Sequence, residues 1–213
     1  MAEKIKKLEK EEKKEKAERE EKKPAERRVV KKLKAKKWFT ILAPAMFGDA
    51  EIGRTVTDAA EKLVGRKMDV SMMELTGDFK KYYMKMSFRI TEVKGEQAMT
   101  EFVGSECMFD YISRMVHQYS KRVDTVQDLQ TKDGKKLRVK TITILPKRVK
   151  SSVQAVVRNK IIEIIKAETE ASTLDEFIEK MISDYTRGKV LAVARKIYPI
   201  RNFEIRKTEI PNK

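Results

Sequence analysis

The chain has 213 residues, 40% hydrophobic and 38% charged, with 49 Lys and Arg against 33 Asp and Glu and a net charge of +16. That apolar fraction is too high for a wholly disordered chain and fits a folded core with charged appendages; the positive excess points to polyanions, meaning nucleic acid, an anionic membrane surface or an acidic protein. One cysteine and one histidine exclude a zinc site built from Cys and His and an intramolecular disulfide, and no GxxxxGK[ST], GxGxxG or GxSxG motif occurs.

Residues 1–37 hold 17 basic and 9 acidic residues and very few apolar ones. The pairs Glu9–Lys13, Glu12–Lys16, Glu15–Arg19 and Glu18–Lys22 have the i,i+4 order that supports an isolated helix. With no apolar face to pack, 1–23 is predicted as a solvated helix and Pro24 onward as a basic arm; a merely solubilising tail is the alternative. The expected division is a charged extension over 1–35 and a single domain over 36–210. The start "MAEKIKKLEKEEKKEK" lacks the apolar segment of a secretory signal, and no apolar run approaches the roughly 18 residues of a membrane span. A cytoplasmic location is expected.

Trp38–Leu42 is strand-like and stopped by Pro44 and Gly48. Trp38 is expected to anchor this strand by burial, with stacking on RNA as the alternative. A second strand is predicted over Lys67–Met73. In "KYYMKMSFRITEV", Tyr82, Met84, Met86, Phe88 and Ile90 face one way and Lys85, Ser87, Arg89 and Thr91 the other, and "KGEQ" turns the chain back into "AMTEFVG". The Tyr, Met and Phe stripe is expected in the core. "CMFDYISRMVHQYS" has Met108, Tyr111, Ile112, Met115 and Val116 at helical spacing. A helix there would hold Cys107 and His117 about 15 Å apart, too far to act as a pair.

Two strands, "RVDTVQDL" and "KLRVKTITIL", are joined across "TKDGKK", whose Asp133-Gly134 is a hairpin signal. Val153, Val156, Val157, Ile161, Ile164 and Ile165 mark one face of a helix. "STLDEFIEKMI" opens with a capping box, Thr173 with Glu176, and carries Leu174, Phe177, Ile178, Met181 and Ile182 at helical spacing. A third helix, about Thr186–Ile197, is closed by Pro199, and "NFEIRKTEI" is a closing strand. Strands dominate the first half and helices the second, so the class is α+β. Asp69, Glu74 and Asp78 have no metal-binding spacing, and no plausible nucleophile stands out. No catalysis, metal or cofactor is expected.

The positive charge is concentrated. Residues 132–166 hold 11 basic and 2 acidic residues. The hairpin cations Lys132, Lys135, Lys136, Arg138 and Lys140 lead into Lys147, Arg148 and Lys150, and the following helix adds Arg158, Lys160 and Lys166. Within this run "ILPKRVKSSVQAVVRNK" has no carboxylate at all. Acidic side chains are the favoured ones at a helix start, so cations there call for a negative partner. A phosphate would gain from the free backbone N–H groups and from the cations, with Ser151 and Ser152 capping the helix or donating to it. A solvated basic face is the alternative. A membrane surface fits less well, because the Val/Ile face lacks the aromatic residues of interfacial helices.

"KKWFTILAPAMFGDAEIGRT" at 36–55 resembles the small-subunit ribosomal protein family S-three-a-e (also called e-S-one), shared by archaea and eukaryotes. "VGRKMDVSMMELTGD", "MSFRITEVKG", "TKDGKKLRVKTITI" and "IYPIRNFEIRKTEI" extend the resemblance over roughly 36–210. It implies an α+β fold with a β-barrel-like antiparallel or mixed sheet and flanking helices. It also implies a structural place on the small-subunit platform, near the ribosomal RNA 3′ end and the messenger exit, with a supporting part in initiation.

The implied partners are small-subunit ribosomal RNA and neighbouring ribosomal proteins, with messenger RNA and initiation factors as further ones, and neither a membrane nor a second copy of the chain. No catalytic residue carries over. Lys36, Lys37, Arg54, Lys147, Arg148, Arg158, Lys160, Arg195, Lys196, Arg206 and Lys207 match basic family positions. The charge run adds Lys135, Lys136, Arg138, Lys140 and Lys150 as RNA-binding candidates, and Trp38 joins them as a candidate stacking ring. The chain ends soon after Lys207, which fits the archaeal branch, whereas the Glu/Lys-rich 1–25 departs from the family's usual start. A stand-alone RNA-binding translation regulator and an RNA-processing enzyme are the rival readings.

Overall fold

Strand β5 (Gln97–Cys107) is where the sheet forks. The computed structural model describes residues 36–211, so the helix and arm expected within 1–35 lie outside the described residues. In chain order the other strands and the α-helices are β1 (Lys37–Leu42), β2 (Glu51–Thr57), β3 (Lys67–Ser71), α1 (Met72–Thr76), β4 (Met84–Lys94), α2 (Phe109–Met115), β6 (Lys121–Gln130), β7 (Lys136–Leu145), α3 (Ser151–Ala171), α4 (Leu174–Ile182), α5 (Tyr185–Ala194) and β8 (Asn202–Glu209).

One edge of β5 pairs antiparallel with β4 from Met84↔Cys107 to Lys94↔Gln97. Its other edge is shared. Gln97–Met99 pair in parallel with Thr40–Leu42 of β1, and Gly104–Glu106 pair antiparallel with Lys207–Glu209 of β8. One limb therefore runs through β1 to β2, and the other through β8 and β7 to β6. The result is a mixed sheet of eight strands among the described residues, with β3 added on β4. It is open: no ladder among the described residues joins β2 or β3 to β6. The ends of the β5–β1–β2 and β5–β4–β3 branches nonetheless approach each other, since a Cβ on Gly53 of β2 would lie 3.7 Å from Cε of Met68 in β3.

Two cores follow from the alternation of apolar residues along the strands. Phe39, Ile41, Leu63, Ile90 and Ala98 fill the smaller one. In the larger, Val123, Leu137, Val139, Ile142 and Ile144 of the sheet belong to one cluster with Val157, Ile161, Ile165, Phe177, Ile178 and Val190 of the helices. The capping box at Thr173 is present in both directions. The α+β expectation holds, with strands leading and the three longest helices of the described residues following in the second half.

Several expectations shift. Trp38 is 65% exposed, not buried, because the alternation of β1 turns Phe39 and Ile41 inward and Trp38 outward. The strand expected to reach Met73 stops at Ser71, where Met72–Thr76 coil into a short helix closed by Gly77 at φ +71°. Tyr82 leaves the apolar stripe: β4 begins at Met84, and Tyr83 is the buried tyrosine of the pair. Cys107 belongs to the β4–β5 ladder and His117 to the loop after α2, so a single helix does not carry both. Val156 is exposed, which narrows the apolar face of α3 to the stripe through Val153, Val157, Ile161, Ile164 and Ile165. The last helix spans Tyr185–Ala194 rather than 186–197.

Candidate RNA interface

The basic run of the sequence does not form one patch. Strand β7 has 10 residues, a length of about 33 Å. Helix α3, with 21 residues and about 31 Å long, returns alongside the hairpin and packs on β6. Its far end meets the hairpin tip: the Lys132 N–H donates to Ser172 O at 3.1 Å, and the Leu174 N–H donates to Asp133 Oδ2 at 3.0 Å. The cations before Leu145 and those after it therefore sit at different places along the sheet.

The cations of the hairpin and its neighbour β8 are mostly paired within the protein. Arg138 holds Asp128 through two bonds, at 2.6 and 2.8 Å, and Lys140 reaches Glu209 at 2.9 Å. Lys207 reaches Glu209 at 2.9 Å and Glu106 at 3.2 Å. Lys135 stands 4.0 Å from Glu101. Hydrogen bonds from Arg138 hold the Asp128 carboxyl below its usual range, and those from Lys140 and Lys207 do the same for Glu209. These pairs stitch β6 to β7, β7 to β8 and β8 to β5. Surface pairs of this kind add little stability, but they neutralise their cations locally. Arg54 with Glu51 and Lys160 with Glu163, both at 2.8 Å, are paired in the same way.

The Leu145 end differs. After the strand, Pro146-Lys147-Arg148-Val149-Lys150 leads into α3, and Lys147, Arg148 and Lys150 are exposed with no ion-pair partner among the described residues. Lys121 lies opposite Leu145 in the β6–β7 register, and the Arg201 N–H donates to Ile144 O at 2.9 Å. Arg148 Cζ stands 5.8 Å from the centroid of the Tyr119 ring. Helix α3 has no acidic residue in its first turn and no side-chain cap; Ser151 and Ser152 lie inside the first turn, with Lys150 at the cap position. The charge that is unfavourable there thus remains uncompensated among the described residues.

The remaining candidates divide by limb. Arg158 is exposed on α3, and Arg195 and Lys196 are exposed in the connection that leads to Arg201. Lys36, Lys37, Trp38 and Arg54 lie on or beside β1 and β2, in the other limb, and Lys136 and the half-buried Arg206 lie along β7 and β8. Asp69, Glu74 and Asp78 fall on different elements, and among the described residues no group of three His, Cys, Asp or Glu side chains is placed to hold a metal. No helix among the described residues is long and apolar enough to cross a membrane.

Sequence reasoning missed Lys121, Arg201 and Tyr119. Counting outward from Asp133 through the hairpin pairs Lys121 with Leu145, so that signal was present. Tyr119 was hidden in a segment read as helix, which in fact ends at Met115. Arg201 has no local signal, because its place depends on β8 joining β7.

A protein-family model described as the Ribosomal S3Ae family matches residues 24–213. The chain is 37% identical over 188 residues to a small ribosomal subunit protein eS1 of Methanothermobacter thermautotrophicus, an alignment covering 88% of this chain and 96% of that one. A protein of the same name from Methanopyrus kandleri is 38% identical over 183 residues, covering 84% of this chain and 87% of that one. Another, from Sulfurisphaera tokodaii, is 35% identical over 179 residues, with 84% and 93% covered.

Proposed function

The chain belongs to the Ribosomal S3Ae family, and on that premise we propose that it is a structural, non-enzymatic constituent of the small ribosomal subunit in the cytoplasm, binding ribosomal RNA through the cations gathered at the Leu145 end of its sheet. The observation that carries RNA binding is the contrast within one basic run. Arg138, Lys140 and Lys207 are neutralised by Asp128, Glu209 and Glu106, whereas Lys147, Arg148 and Lys150 have no carboxylate partner among the described residues. RNA phosphates are anions that such cations bind, and neutralising them releases condensed counterions.

Within the subunit we place the protein on the platform, near the ribosomal RNA 3′ end and the messenger exit, as a single copy beside neighbouring proteins and in support of initiation, with messenger RNA and initiation factors in reach. Residues 36–210 act as one α+β domain whose sheet is barrel-like where β2 and β3 approach, a reading supported by the closeness of Gly53 to Met68. Residues 1–35 are a charged extension. Deleting 1–25 is expected to leave thermal unfolding nearly unchanged; a large loss of stability would place that segment in the core.

The test is an RNA titration at several salt concentrations. Replacing Lys147, Arg148 and Lys150 with Gln should preserve the fold and flatten the log–log salt slope by about 2–3, at roughly 0.7–0.9 for each phosphate no longer neutralised. The paired control, Lys140→Gln with Lys207→Gln, should change the slope less. An unchanged slope in the 147–150 variant would make this run a solvated face. Co-sedimentation with small subunits through a high-salt wash would support the ribosomal placement, and release in moderate salt would favour a stand-alone regulator.

A further inference from the structure

We propose that Tyr119 is a stacking seat for one unpaired base of an RNA strand, with Arg148 behind the ring and Lys147 and Lys150 beside it for the flanking phosphates. The inference rests on the RNA reading above and adds to it the form of RNA recognised. Tyr119 is 65% exposed and sits in the loop between α2 and β6. Its backbone is left-handed, at φ +66°, a conformation that L side chains other than Asn and Asp rarely adopt.

The loop is held by its own turn: the His117 N–H donates to Ser120 Oγ at 3.2 Å, and the Ser120 hydroxyl and N–H donate to His117 O at 2.6 and 3.1 Å. An aromatic ring displayed on a strained, internally bonded loop gains nothing for the core. It does present a π-face to a base. The Arg148 guanidinium, 5.8 Å from the centroid, is itself a stacking surface and a phosphate donor, and no carboxylate among the described residues claims it.

Trp38, equally exposed and preceded by Lys36 and Lys37, lies in the other limb of the sheet. Phe79 and Phe109 are more exposed, but each has a carboxylate as its chain neighbour, Asp78 and Asp110. The exposed Lys121, opposite Leu145 in the β6–β7 register, follows Tyr119 by two residues, and Arg148 stands 5.8 Å from the ring centroid. A paired base inside an A-form helix offers no face to such a ring, whereas bases in single strands, loops and bulges do. The site is therefore specific for unpaired RNA, while the surrounding lysines bind phosphate without regard to pairing.

The experiment uses the full chain and two probes: a short single-stranded RNA carrying a fluorescent adenine analogue quenched by stacking, and the same sequence as a fully paired duplex. Tyr119→Leu keeps an apolar side chain but removes the π-face. It should lose the quenching and weaken single-strand binding about 5- to 150-fold, the range of one base–aromatic stack. Duplex affinity, salt slope and thermal unfolding should stay as in the unsubstituted protein, and Tyr119→Phe should behave like it. Retained quenching in Tyr119→Leu, or an equal loss for single strand and duplex, would overturn the stacking seat and leave the RNA interface standing. An unchanged salt slope in the Lys147, Arg148 and Lys150 variant would overturn the RNA interface itself, and the stacking seat with it.

Discussion

Gly104 lies so close to Thr208 that a Cβ on it would sit 2.3 Å from the Thr208 carbonyl oxygen. The two residues belong to the short β5–β8 ladder, which joins the two limbs of the sheet. Next to the glycine, the Ser105 N–H donates to Thr208 Oγ1 at 3.0 Å, and the two hydroxyls are 2.8 Å apart, all buried. The obstacle is backbone, so no rotamer change relieves it. Gly104→Ala should therefore destabilise the protein by about 1–3 kcal/mol, the usual cost of overpacking. At Gly53 the nearest atom is the flexible end of Met68 at 3.7 Å, and Gly53→Ala should be tolerated far better. Denaturant melts of the two variants compare them directly; equal effects would mean that β8 simply moves away.

Glu204 should make stability fall as the pH rises through the acidic range. It is 4% exposed, takes a hydrogen bond from the Tyr111 hydroxyl at 3.2 Å and faces Arg187 at 3.0 Å. Burial raises its pKa, and Arg187 opposes that without cancelling it. The folded protein thus binds this proton more tightly than the unfolded chain does. Its contribution is greatest below the ordinary carboxylate pKa and is lost as pH rises towards the folded value. Relative to the unsubstituted protein, Glu204→Gln should gain stability between acidic and neutral pH. Thermal melts across that range test it, and a relative loss with rising pH would show that Arg187 dominates.

Cys107 should be inert to alkylation until the protein unfolds. Its thiol is buried at the end of β5, with Sγ 3.2 Å from Ile205 O, and burial pushes its pKa up to about 12. The nearby Glu204 carboxyl adds to that rise. Thiolate, the reactive form, is therefore scarce at neutral pH. Iodoacetamide labelling should follow the denaturant unfolding curve. Rapid labelling of the native protein would show that the β5–β8 junction opens locally.

The sequence made the elements legible and left their joining hidden. Alternation gave β4, β6 and β7, and the Thr173–Glu176 box gave the start of α4, because these are local patterns. Nothing in "AMTEFVGSEC" tells that its first residues pair with β1 and its last with β8. For the same reason the basic residues could be found but not sorted. Lys140 and Lys147 look alike in sequence; only the β7–β8 register brings Glu209 to one and leaves the other without a carboxylate among the described residues. Trp38 misled because its size favours burial, whereas its place in the alternation of β1 decides its exposure.

Asp133 has two tasks, and they can be separated. With Gly134, at φ +76°, it forms the hairpin tip, and its Oδ2 also accepts the Leu174 N–H at the start of α4. Helix starts leave N–H groups without partners, so this carboxylate caps a helix from a distant segment, beside the Thr173–Glu176 box. It also puts negative charge where the helix dipole favours it. Asp133→Ala removes both benefits and should cost about 0.5–2 kcal/mol, as other cap losses do. Asp133→Asn keeps a turn-forming side chain and an acceptor oxygen, and should lose only the charge contribution. Neither substitution touches the Leu145 end, so RNA affinity and its salt slope should stay unchanged in the folded variants. Denaturant melts give the stability order. An Asn variant as unstable as the Ala variant would show that the charge of Asp133, rather than its hydrogen bond, holds the tip against α4.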